Sequence, residues 1–315
     1  MKTTARAFAP ASIGNLGVGF DVLGLAIEGP GDCVTVMRRD RPGIEINDIR
    51  VADAAANAVK LSRIAEKNTA SIAAAALWAA VGEPGGLEMV IEKGIPLGSG
   101  MGSSAASAVA GVVAANALLS APLSMDALMP YAMQGESFAS GAMHADNVAP
   151  SLLGGMVLCP HAWLPEVRAL PLPTDIRSVL VHPHLRINTA DSRRGLSNSV
   201  PLPVTVAQMA AIAGFVHACH SNDMDLIRRT LVDHVVEPQR SSQVAGFADV
   251  RDAAMQAGAL GCSLSGSGPS LFALASVDDA PAVALAMQGA FTAHAIPSDY
   301  WISSLAAPGA RVLED

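Results

Sequence analysis

The chain has 315 residues, of which 51% are hydrophobic and 15% are charged, so it has ample apolar material for a buried core. Its formal net charge of −8 argues against a general nucleic-acid binder, because neutralising the phosphates of a duplex needs a basic face. A nucleotide is not excluded, since backbone N–H groups and Mg²⁺ can hold phosphates with little help from lysine. The length allows two domains that share a cleft.

Neither a secretory signal nor a membrane span is predicted. The N-terminus has no apolar h-region. The longest apolar run, Ala105 to Leu119, is shorter than the ~18 residues that a span requires and is better explained as a buried helix. The four cysteines lie far apart without a C-x-x-C pair, which predicts reduced thiols. We therefore expect a cytoplasmic protein without membrane or nucleic-acid partners, and a homodimer is one assembly compatible with the sequence.

The pattern of strands and helices predicts an α+β protein with two layers in each domain. Strands are predicted at 33–37, 86–95, 154–158, 178–182 and 300–304, and around a Gly/Ser turn within 262–275. Helices are predicted at 69–81, 103–119, 204–219, 223–236 and 280–294, after Ser124 with a bend or new start at Pro130, and before Gly258. The proline-punctuated segment 159–173 predicts a domain boundary, which divides the chain into residues 1–165 and 166–315.

The segment Ile95 to Ser107 (IPLGSGMGSSAAS) is the most informative stretch of the chain. A predicted strand leads into it, three glycines alternate along it, and a helix of small residues follows. Glycines let a backbone approach a ligand closely, and a helix N-terminus presents free N–H groups to an anion. The glycine spacing matches neither a Walker A loop nor a dinucleotide fingerprint, and no G-x-S-x-G elbow occurs. A glycine-rich turn without a ligand remains the alternative at this point.

The segment 96–105 (PLGSGMGSSA) resembles the ATP-binding signature of the GHMP kinases. Two further segments fit that family in the same chain order, namely 10–21 (PASIGNLGVGFD) and 264–270 (LSGSGPS). The resemblance covers essentially the whole chain. It implies an N-terminal ribosomal-protein-S5-like domain, a C-terminal ferredoxin-like α/β sandwich, and an active site in the cleft between them.

The resemblance also implies the residues that bind ATP and a metal ion. The implied ATP-binding residues are Asn68, near adenine, and the loop residues Pro96, Leu97, Gly98, Ser99, Gly100, Met101, Gly102, Ser103 and Ser104. Ser104 and Glu136 correspond to the family's Mg²⁺ ligands. Taken alone, Asn68 could be a helix cap and Glu136 an exposed helical carboxylate.

Within the family, segment 10–25 (PASIGNLGVGFDVLGL) and segment 144–155 (HADNVAPSLLGG) closely resemble homoserine kinases. The implied residues around L-homoserine are Asn15, Asp21, His144, Asn147, Thr189, Arg193 and Arg240. A substrate that carries a carboxylate and a hydroxyl needs an anion clamp, and two guanidinium groups are suited to that task. Taken alone, the arginines would more often be surface residues and His144 a structural histidine.

The resemblance assigns catalytic positions to Asp21, Asp146 and Asn147. Some family members pair an aspartate with a lysine near the N-terminus, but Ser12 stands at that position here. We therefore expect that no side chain acts as a strong base and that the γ-phosphate itself accepts the hydroxyl proton. Two alternatives stay open: a GHMP kinase for another alcohol, such as mevalonate or shikimate, and a non-catalytic ligand sensor on the same fold.

Overall fold

The computed structural model describes residues 2–52, 61–141, 144–171 and 173–314, which form two β-sheets with helices packed against them. The strands are β1 (Thr4–Gly14), β2 (Leu23–Arg39), β3 (Gly43–Val51), β4 (Gly86–Lys93), β5 (Met156–Leu158), β6 (Arg168–Ala169), β7 (Ile176–Pro183), β8 (Gly261–Leu264), β9 (Leu271–Ser276), β10 (Ser298–Ser304) and β11 (Arg311–Leu313). The helices are α1 (Thr69–Ala80), α2 (Ser103–Asn116), α3 (Met129–Ser140), α4 (Val148–Leu153), α5 (Thr189–Arg194), α6 (Leu202–Ser221), α7 (Met224–Thr230), α8 (Glu237–Arg240), α9 (Phe247–Gln256) and α10 (Ala280–Ala293). The α+β architecture expected from the sequence is confirmed.

The first sheet is built on the long strand β2, which pairs antiparallel with both β1 and β4. Its central order is β11-β1-β2-β4-β3, and β5 and β6 extend it from β2. The β1–β2 register shifts between Pro10 and Ser12, where β1 passes beside the predicted phosphate loop. The loop itself follows β4 and leads directly into α2, as the sequence predicts.

Helix α2 is the buried centre of the first half of the chain. Every residue from Ala105 to Asn116 is buried, which confirms the prediction that this apolar run is a core helix. Alanine, glycine and valine make the helix thin enough to lie against both the sheet and α1. At Gly111 the approach is so close that an added Cβ would lie 2.5 Å from the Ala70 carbonyl oxygen.

The second sheet has the order β10-β7-β9-β8, with antiparallel pairs throughout. Helices α9 and α10 cover one face, where residues such as Val250, Met287 and Phe291 form a separate hydrophobic core. The opposite face contributes Leu180, Phe272 and Leu274 to the core of the first half. The loop between β8 and β9 contacts the predicted phosphate loop through hydrogen bonds from Ser265 and Ser270.

The predicted division at residue 165 stays a prediction. Strands β6 and β11, which both follow residue 165, nevertheless pair within the first sheet. Strand β11 lies beside β1 in the register Ala7↔Val312. A bridge between Gly154 and Pro308 also ties the chain terminus to the first half.

Several elements differ from the expectations drawn from the sequence. Outside the predicted elements lie the strands β1, β3, β6 and β11 and the helices α4 and α5, and β2 extends well beyond the predicted strand 33–37. The predicted helix 223–236 is wrong, because α7 ends at Thr230 and α8 starts at Glu237. The Asp233 carboxylate accepts the backbone N–H groups of Val235, Val236 and Glu237, which replaces the helical hydrogen bonds with a turn.

The four cysteines are free, as predicted. Among the described residues, α6 alone is long and apolar enough to cross a membrane by length and composition. These criteria are weak, since a helix packed in a core also meets them. The predicted absence of a membrane span therefore stays a prediction.

We predict opposite effects of the same substitution at two helical glycines. Gly111→Ala should lower the free energy of unfolding by about 1–3 kcal/mol, because the new methyl group pushes α2 away from α1. Gly289→Ala, in α10, should raise it by roughly 0.5–1 kcal/mol, because nothing lies within 4 Å of the added Cβ. Urea unfolding curves measure both, and a stabilised Gly111→Ala variant would contradict the packing described for α2.

Candidate active site

The phosphate loop predicted from the sequence is held by its carbonyl oxygens. The backbone oxygens of Gly98 and Ser99 accept the N–H groups of Ile187 and Ser270, at 3.0 and 3.1 Å. The oxygen of Gly100 accepts the Ser265 hydroxyl at 2.8 Å, and that of Met101 accepts the Ser12 N–H at 3.1 Å. Because C=O and N–H point in opposite directions across a trans peptide, the N–H groups of the loop are directed away from these partners. The Met101 N–H donates to the Ser99 hydroxyl at 3.3 Å, and the other N–H groups of these peptides are available to an anion.

Two glycines of the loop are required by close contacts. Gly100 has φ +78°, and an added Cβ would lie 2.4 Å from the Ser265 carbonyl oxygen. Gly102 is the N-cap of α2 with φ +69°, and an added Cβ would lie 2.3 Å from the Ser12 hydroxyl oxygen. No side chain caps this helix, so its first N–H groups are open to a ligand.

A cavity of about 490 Å³ lies in front of the loop and the start of α2. Its lining includes most of the residues predicted to bind ATP and metal, together with Lys93, Asn147, Thr189 and Ser267. Asn68 lines the cavity and also caps α1 by accepting the Ala70 N–H at 3.1 Å, so its cap role and its predicted role coexist. Thr189 approaches Ser267, with 3.3 Å between their hydroxyl oxygens.

Glu136 is a buried carboxylate, so the alternative of an exposed helical residue is wrong. Burial raises its pKa to about 7, against the opposing effects of a hydrogen bond with Ser104 and the charge of Lys93. Carboxylate and hydroxyl oxygens are suitable ligands for Mg²⁺, which usually takes few protein ligands and several phosphate or water oxygens. The donor atoms of Ser104 and Glu136 therefore fit a phosphate-bound Mg²⁺. Elsewhere in the described residues, no group of three His, Cys, Asp or Glu side chains could hold a metal ion.

Lys93 and Asp32 form a buried ion pair beneath the loop that the sequence did not reveal. Lys93 also donates to the carbonyl oxygen of Ser103 and to the hydroxyl of Ser107, each at 2.7 Å. In the sequence Lys93 follows Glu92 in a strand with partial alternation, which resembles a solvent-exposed edge. Its partner is 61 positions away, so no local signal identifies the pair.

Arg193 and Arg240 lie together over the ring of Phe20, with guanidinium carbons 5.2 and 5.5 Å from the ring centre. Arg193 donates both terminal nitrogens to Asp21, at 2.6 and 3.0 Å. In this structure Asp21 thus occupies the guanidinium fork that the sequence assigns to a substrate carboxylate. Arg240 is buried and donates to the Gly266 carbonyl oxygen at 3.2 Å. Burial and the neighbouring Arg193 charge lower the pKa of Arg240.

Asn15, Asp146 and Asn147 connect the arginine pair to the phosphate loop. Asn15 accepts the Asp21 N–H on its side-chain oxygen, and its own N–H donates to Asp146, both at 3.1 Å. Asn147 accepts the Ser12 hydroxyl at 2.9 Å, and its side-chain oxygen lies 2.9 Å from a Cβ added at Gly102. The residues predicted to surround the substrate hydroxyl are therefore contiguous with the loop.

His144 lies beside the same cluster, with Nδ1 3.3 Å from the Asp21 carboxylate. Burial lowers the pKa of His144, with Asp21 opposing this effect and Arg193 adding to it. All of the site residues predicted from the sequence thus fall into two adjoining groups, one around the loop and one around Phe20. Their individual roles remain predictions.

Asp146 is a buried carboxyl whose pKa is raised to about 7, first by burial and then by the charge of Asp21. The Asn15 N–H and Arg193 oppose the rise without cancelling it. At neutral pH this carboxyl is therefore partly protonated, which makes it a poor permanent counter-ion for the arginine pair.

Models of the GHMP kinase N-terminal and C-terminal domains match residues 63–155 and 215–293. The homoserine kinase of Xanthomonas campestris pv. campestris (strain B100) is 44% identical over 310 residues, which cover 98% of this chain and 94% of that protein. The homoserine kinase of Chlorobium phaeobacteroides (strain BS1) is 39% identical over 319 residues, which cover 98% of this chain and 99% of that protein.

The crystal structure of the homoserine kinase from Cytophaga hutchinsonii superposes with a TM-score of 0.94 at 43% identity, covering 99% of this chain and 98% of that one. The two-domain fold implied by the sequence motifs is thereby confirmed.

We predict that Asp146 makes the stability of the fold depend on pH. Its pKa is near 7 in the folded protein and ~4 when unfolded, so only the folded state holds the proton between these values. Stability should therefore fall as the pH rises from ~4 to ~7, by up to about 4 kcal/mol from this group. Asp146→Asn should reduce that slope. Denaturation midpoints at several pH values measure it, with the exposed Asp252→Asn as the matched control.

An Asp146→Asn variant whose midpoint keeps the full pH dependence of the natural protein would contradict the raised pKa. Glu136 also has a raised pKa and contributes a slope of the same sign. Because the charge of Asp146 adds to the rise at Glu136, Asp146→Asn should lower the Glu136 contribution as well, which changes the slope in the same direction.

Proposed function

Since the chain belongs to the GHMP kinase family, we propose that it transfers the γ-phosphoryl group of ATP to the side-chain hydroxyl of L-homoserine, forming O-phospho-L-homoserine and ADP. The observation that carries this proposal is the contiguity of two anion-binding groups. Asn147 lies beside Gly102 of the loop 96–104. Its neighbour Asp146 is linked through Asn15 to Asp21, which holds Arg193 of the Arg193–Arg240 pair. The full-length similarity to homoserine kinases supports the choice of substrate.

ATP fits the first group by its charge distribution. The carbonyl oxygens of residues 98–101 bond to other parts of the protein, which leaves loop N–H groups for the β- and γ-phosphates. The dipole at the start of α2 also favours an anion. Ser104 and Glu136 would hold Mg²⁺, and Asn68 would lie near adenine. When bound, the ion would neutralise the phosphate oxygens on which charge develops.

L-homoserine fits the second group because its carboxylate matches the planar forks of Arg193 and Arg240. A bound carboxylate would share or replace Asp21 at Arg193, and His144 and Thr189 would line the edges of the pocket. The hydroxyl would then extend toward Asn15, Asp21 and Asn147. Positioning of this kind supplies most of what phosphoryl transfer needs from a protein.

Two groups are candidates to accept the proton of the substrate hydroxyl, namely an oxygen of the γ-phosphoryl group and a nearby carboxylate. As the hydroxyl oxygen bonds to the γ-phosphorus and the bond to the β-phosphate oxygen breaks, we propose that the proton passes to an oxygen of the γ-phosphoryl group. Ser12, whose hydroxyl donates to Asn147, supplies no cation to keep a nearby aspartate ionised. Asp146 has a pKa near 7, which suits a general base at neutral pH, but the carboxyl is partly protonated there and its Oδ2 already accepts the Asn15 N–H.

We predict that Asp146→Asn retains measurable turnover, because the γ-phosphoryl oxygens can take the proton. Steady-state rates and calorimetric binding of both substrates test this, with Asp21→Asn in parallel. If each variant binds both substrates normally and loses all turnover, a carboxylate base is required and the proposal is overturned.

The central experiment incubates the purified protein with ATP, Mg²⁺ and L-homoserine and follows O-phospho-L-homoserine by ³¹P NMR. R-mevalonate and shikimate replace L-homoserine in parallel reactions. Strong preference for R-mevalonate or shikimate would overturn the choice of L-homoserine as substrate, although the protein would still be a GHMP kinase. Nucleotide and L-homoserine binding without ADP release would favour the ligand sensor.

The mevalonate kinase of L. major shares only 15% identity with this chain, so its TM-score of 0.69 supports the fold alone and not mevalonate as the substrate.

We predict that Arg193→Lys raises KM for L-homoserine by roughly 10-fold or more, because an ammonium cannot form the two parallel hydrogen bonds of a guanidinium. KM for ATP should change little, since Arg193 lies in the second group. The matched control is Arg194→Lys, on the same helix but paired with Asp191 at the surface. Equal effects of both variants, or a rise confined to KM for ATP, would contradict the assignment.

The proposal also covers the cellular compartment, the domain division and the oligomeric state of the enzyme. Both substrates are metabolites of the cytoplasm, and the net charge of −8 disfavours a nucleic-acid partner. We propose that residues 1–165 and 166–315 form two domains around the shared site. Limited proteolysis tests this division, and sedimentation tests the expectation of a homodimer.

A further inference from the structure

A buried polar network lies directly beneath the phosphate loop. Asp32 in β2 is fully buried, and Lys93 at the end of β4 and Ser107 in α2 are 5% and 4% exposed. Lys93 bonds to Asp32, to Ser107 and to the carbonyl oxygen of Ser103. Burying two opposite charges costs free energy that a hydrophobic pair would not cost, so the network calls for an explanation beyond stability.

Every hydrogen-bonding position of this network is filled from within the protein. The ammonium of Lys93 has three N–H groups and three protein acceptors. On Asp32, Oδ2 accepts from Lys93 and from the Ser107 hydroxyl at 2.7 Å. Oδ1 accepts the N–H groups of Gly94 and Ile95, at 3.1 and 3.2 Å. A lysine satisfied in this way has no N–H group left for a phosphate.

The partners of the network lie at the two ends of the loop. Gly94 and Ile95 immediately precede Pro96, and Ser103 and Ser107 form the first turns of α2. Asp32 accepts hydrogen bonds from the first end of the loop directly. It is linked to the second end by Lys93, which bonds both to Asp32 and to the carbonyl oxygen of Ser103. Since the three glycines between the ends have positive φ and little rigidity of their own, the separation of the ends acts together with the hydrogen bonds on the loop carbonyls to determine where the loop N–H groups point.

We infer that Asp32 is a positioning residue for the nucleotide: through Lys93 and Ser107 it holds both ends of loop 96–102 at the separation that presents its N–H groups to phosphate. This inference rests on the proposed function, because it takes ATP as the ligand of the loop. Although Lys93 lines the cavity, its three N–H groups bond to the protein, so it acts as a tie between β4 and α2 and its charge is balanced by Asp32.

The decisive variant is Asp32→Asn, which keeps the size of the side chain and leaves Lys93 in place. Its amide can accept from Gly94 and Ile95 but turns an NH₂ group toward the lysine and Ser107, so the tie to α2 is lost. MgADP should then bind roughly 10- to 100-fold more weakly, the range seen when residues that orient a site are removed. Calorimetric titration with MgADP, without L-homoserine, measures this directly.

The sign of the change separates the two roles that Lys93 could have. If Lys93 were a direct phosphate ligand restrained by Asp32, Asp32→Asn would free it, and MgADP would bind equally well or more tightly. That result overturns the inference. In the kinetics, KM for ATP should rise well above the change in KM for L-homoserine. Hydrogen exchange should accelerate at the amides of residues 97–105.

A merely structural role is tested by a double variant, Asp32→Leu with Lys93→Met. Apolar replacement of a buried ion pair is commonly neutral or stabilising, so the melting temperature should recover. Nucleotide affinity should stay low, because the ends of the loop are no longer tied by directional bonds. Recovery of both the melting temperature and the nucleotide affinity would overturn the inference. Asp252→Asn, at an exposed site on α9, is the control for loss of one negative charge.

Should Asp32→Asn fail to fold, Ser107→Ala keeps both charges and removes one link between them and α2. It should weaken MgADP binding in the same direction by a smaller factor, and unchanged affinity would overturn the inference. Natural protein that binds MgADP but forms no O-phospho-L-homoserine would overturn the proposed function and leave this inference standing. Natural protein that binds no nucleotide would overturn both.

Discussion

The orientation of the loop peptides between Gly98 and Gly102 is the constraint on which the rest of the site depends. Their carbonyl oxygens are hydrogen-bonded to β1, to the segment before α5 and to the β8–β9 turn. These three segments come from widely separated parts of the chain. The loop can therefore present its N–H groups only when both sheets and the connections between them are assembled. Folding and anion binding are thus coupled through ordinary backbone hydrogen bonds.

This arrangement explains how a chain with a net charge of −8 can hold a polyanion. The positive potential of the cavity comes from peptide dipoles, the open N-terminus of α2 and Lys67 in the lining, since Lys93 is already paired with Asp32. Formal positive charge is concentrated in the second group, where Arg193 and Arg240 lie over Phe20. In the proposed function, dipoles would face the phosphates and guanidinium forks would face the carboxylate. The two kinds of anion are thereby distinguished by geometry.

The buried carboxyls carry a cost in stability. Glu136 and Asp146 both have pKa values raised to about 7 by burial, and each lies at the boundary between the loop and the substrate residues. A hydrophobic pair at these positions would pack more favourably. Their burial makes sense for a site that excludes water and strengthens each charge interaction inside it. The stability of the fold is therefore lowered where the chemistry is concentrated.

The sequence by itself determined the position of the glycine-rich loop, the buried helix after it and the family, because glycine spacing, small residues and the three motifs are local patterns. It also named both arginines, Glu136 and the Asp146-Asn147 pair. Strands β1 and β3 were missed although both alternate: the buried positions at the start of β1 are alanines, which have low strand propensity, and the alternation of β3 is interrupted by a bulge between Ile46 and Asp48. The helix predicted at 223–236 did not allow for the capping carboxylate of Asp233. Only the tertiary structure paired Asp32 with Lys93 and placed Asp21 in the fork of Arg193. Those contacts join residues 61 and 172 positions apart, and separations of that size are set by sheet pairing, which no local pattern encodes.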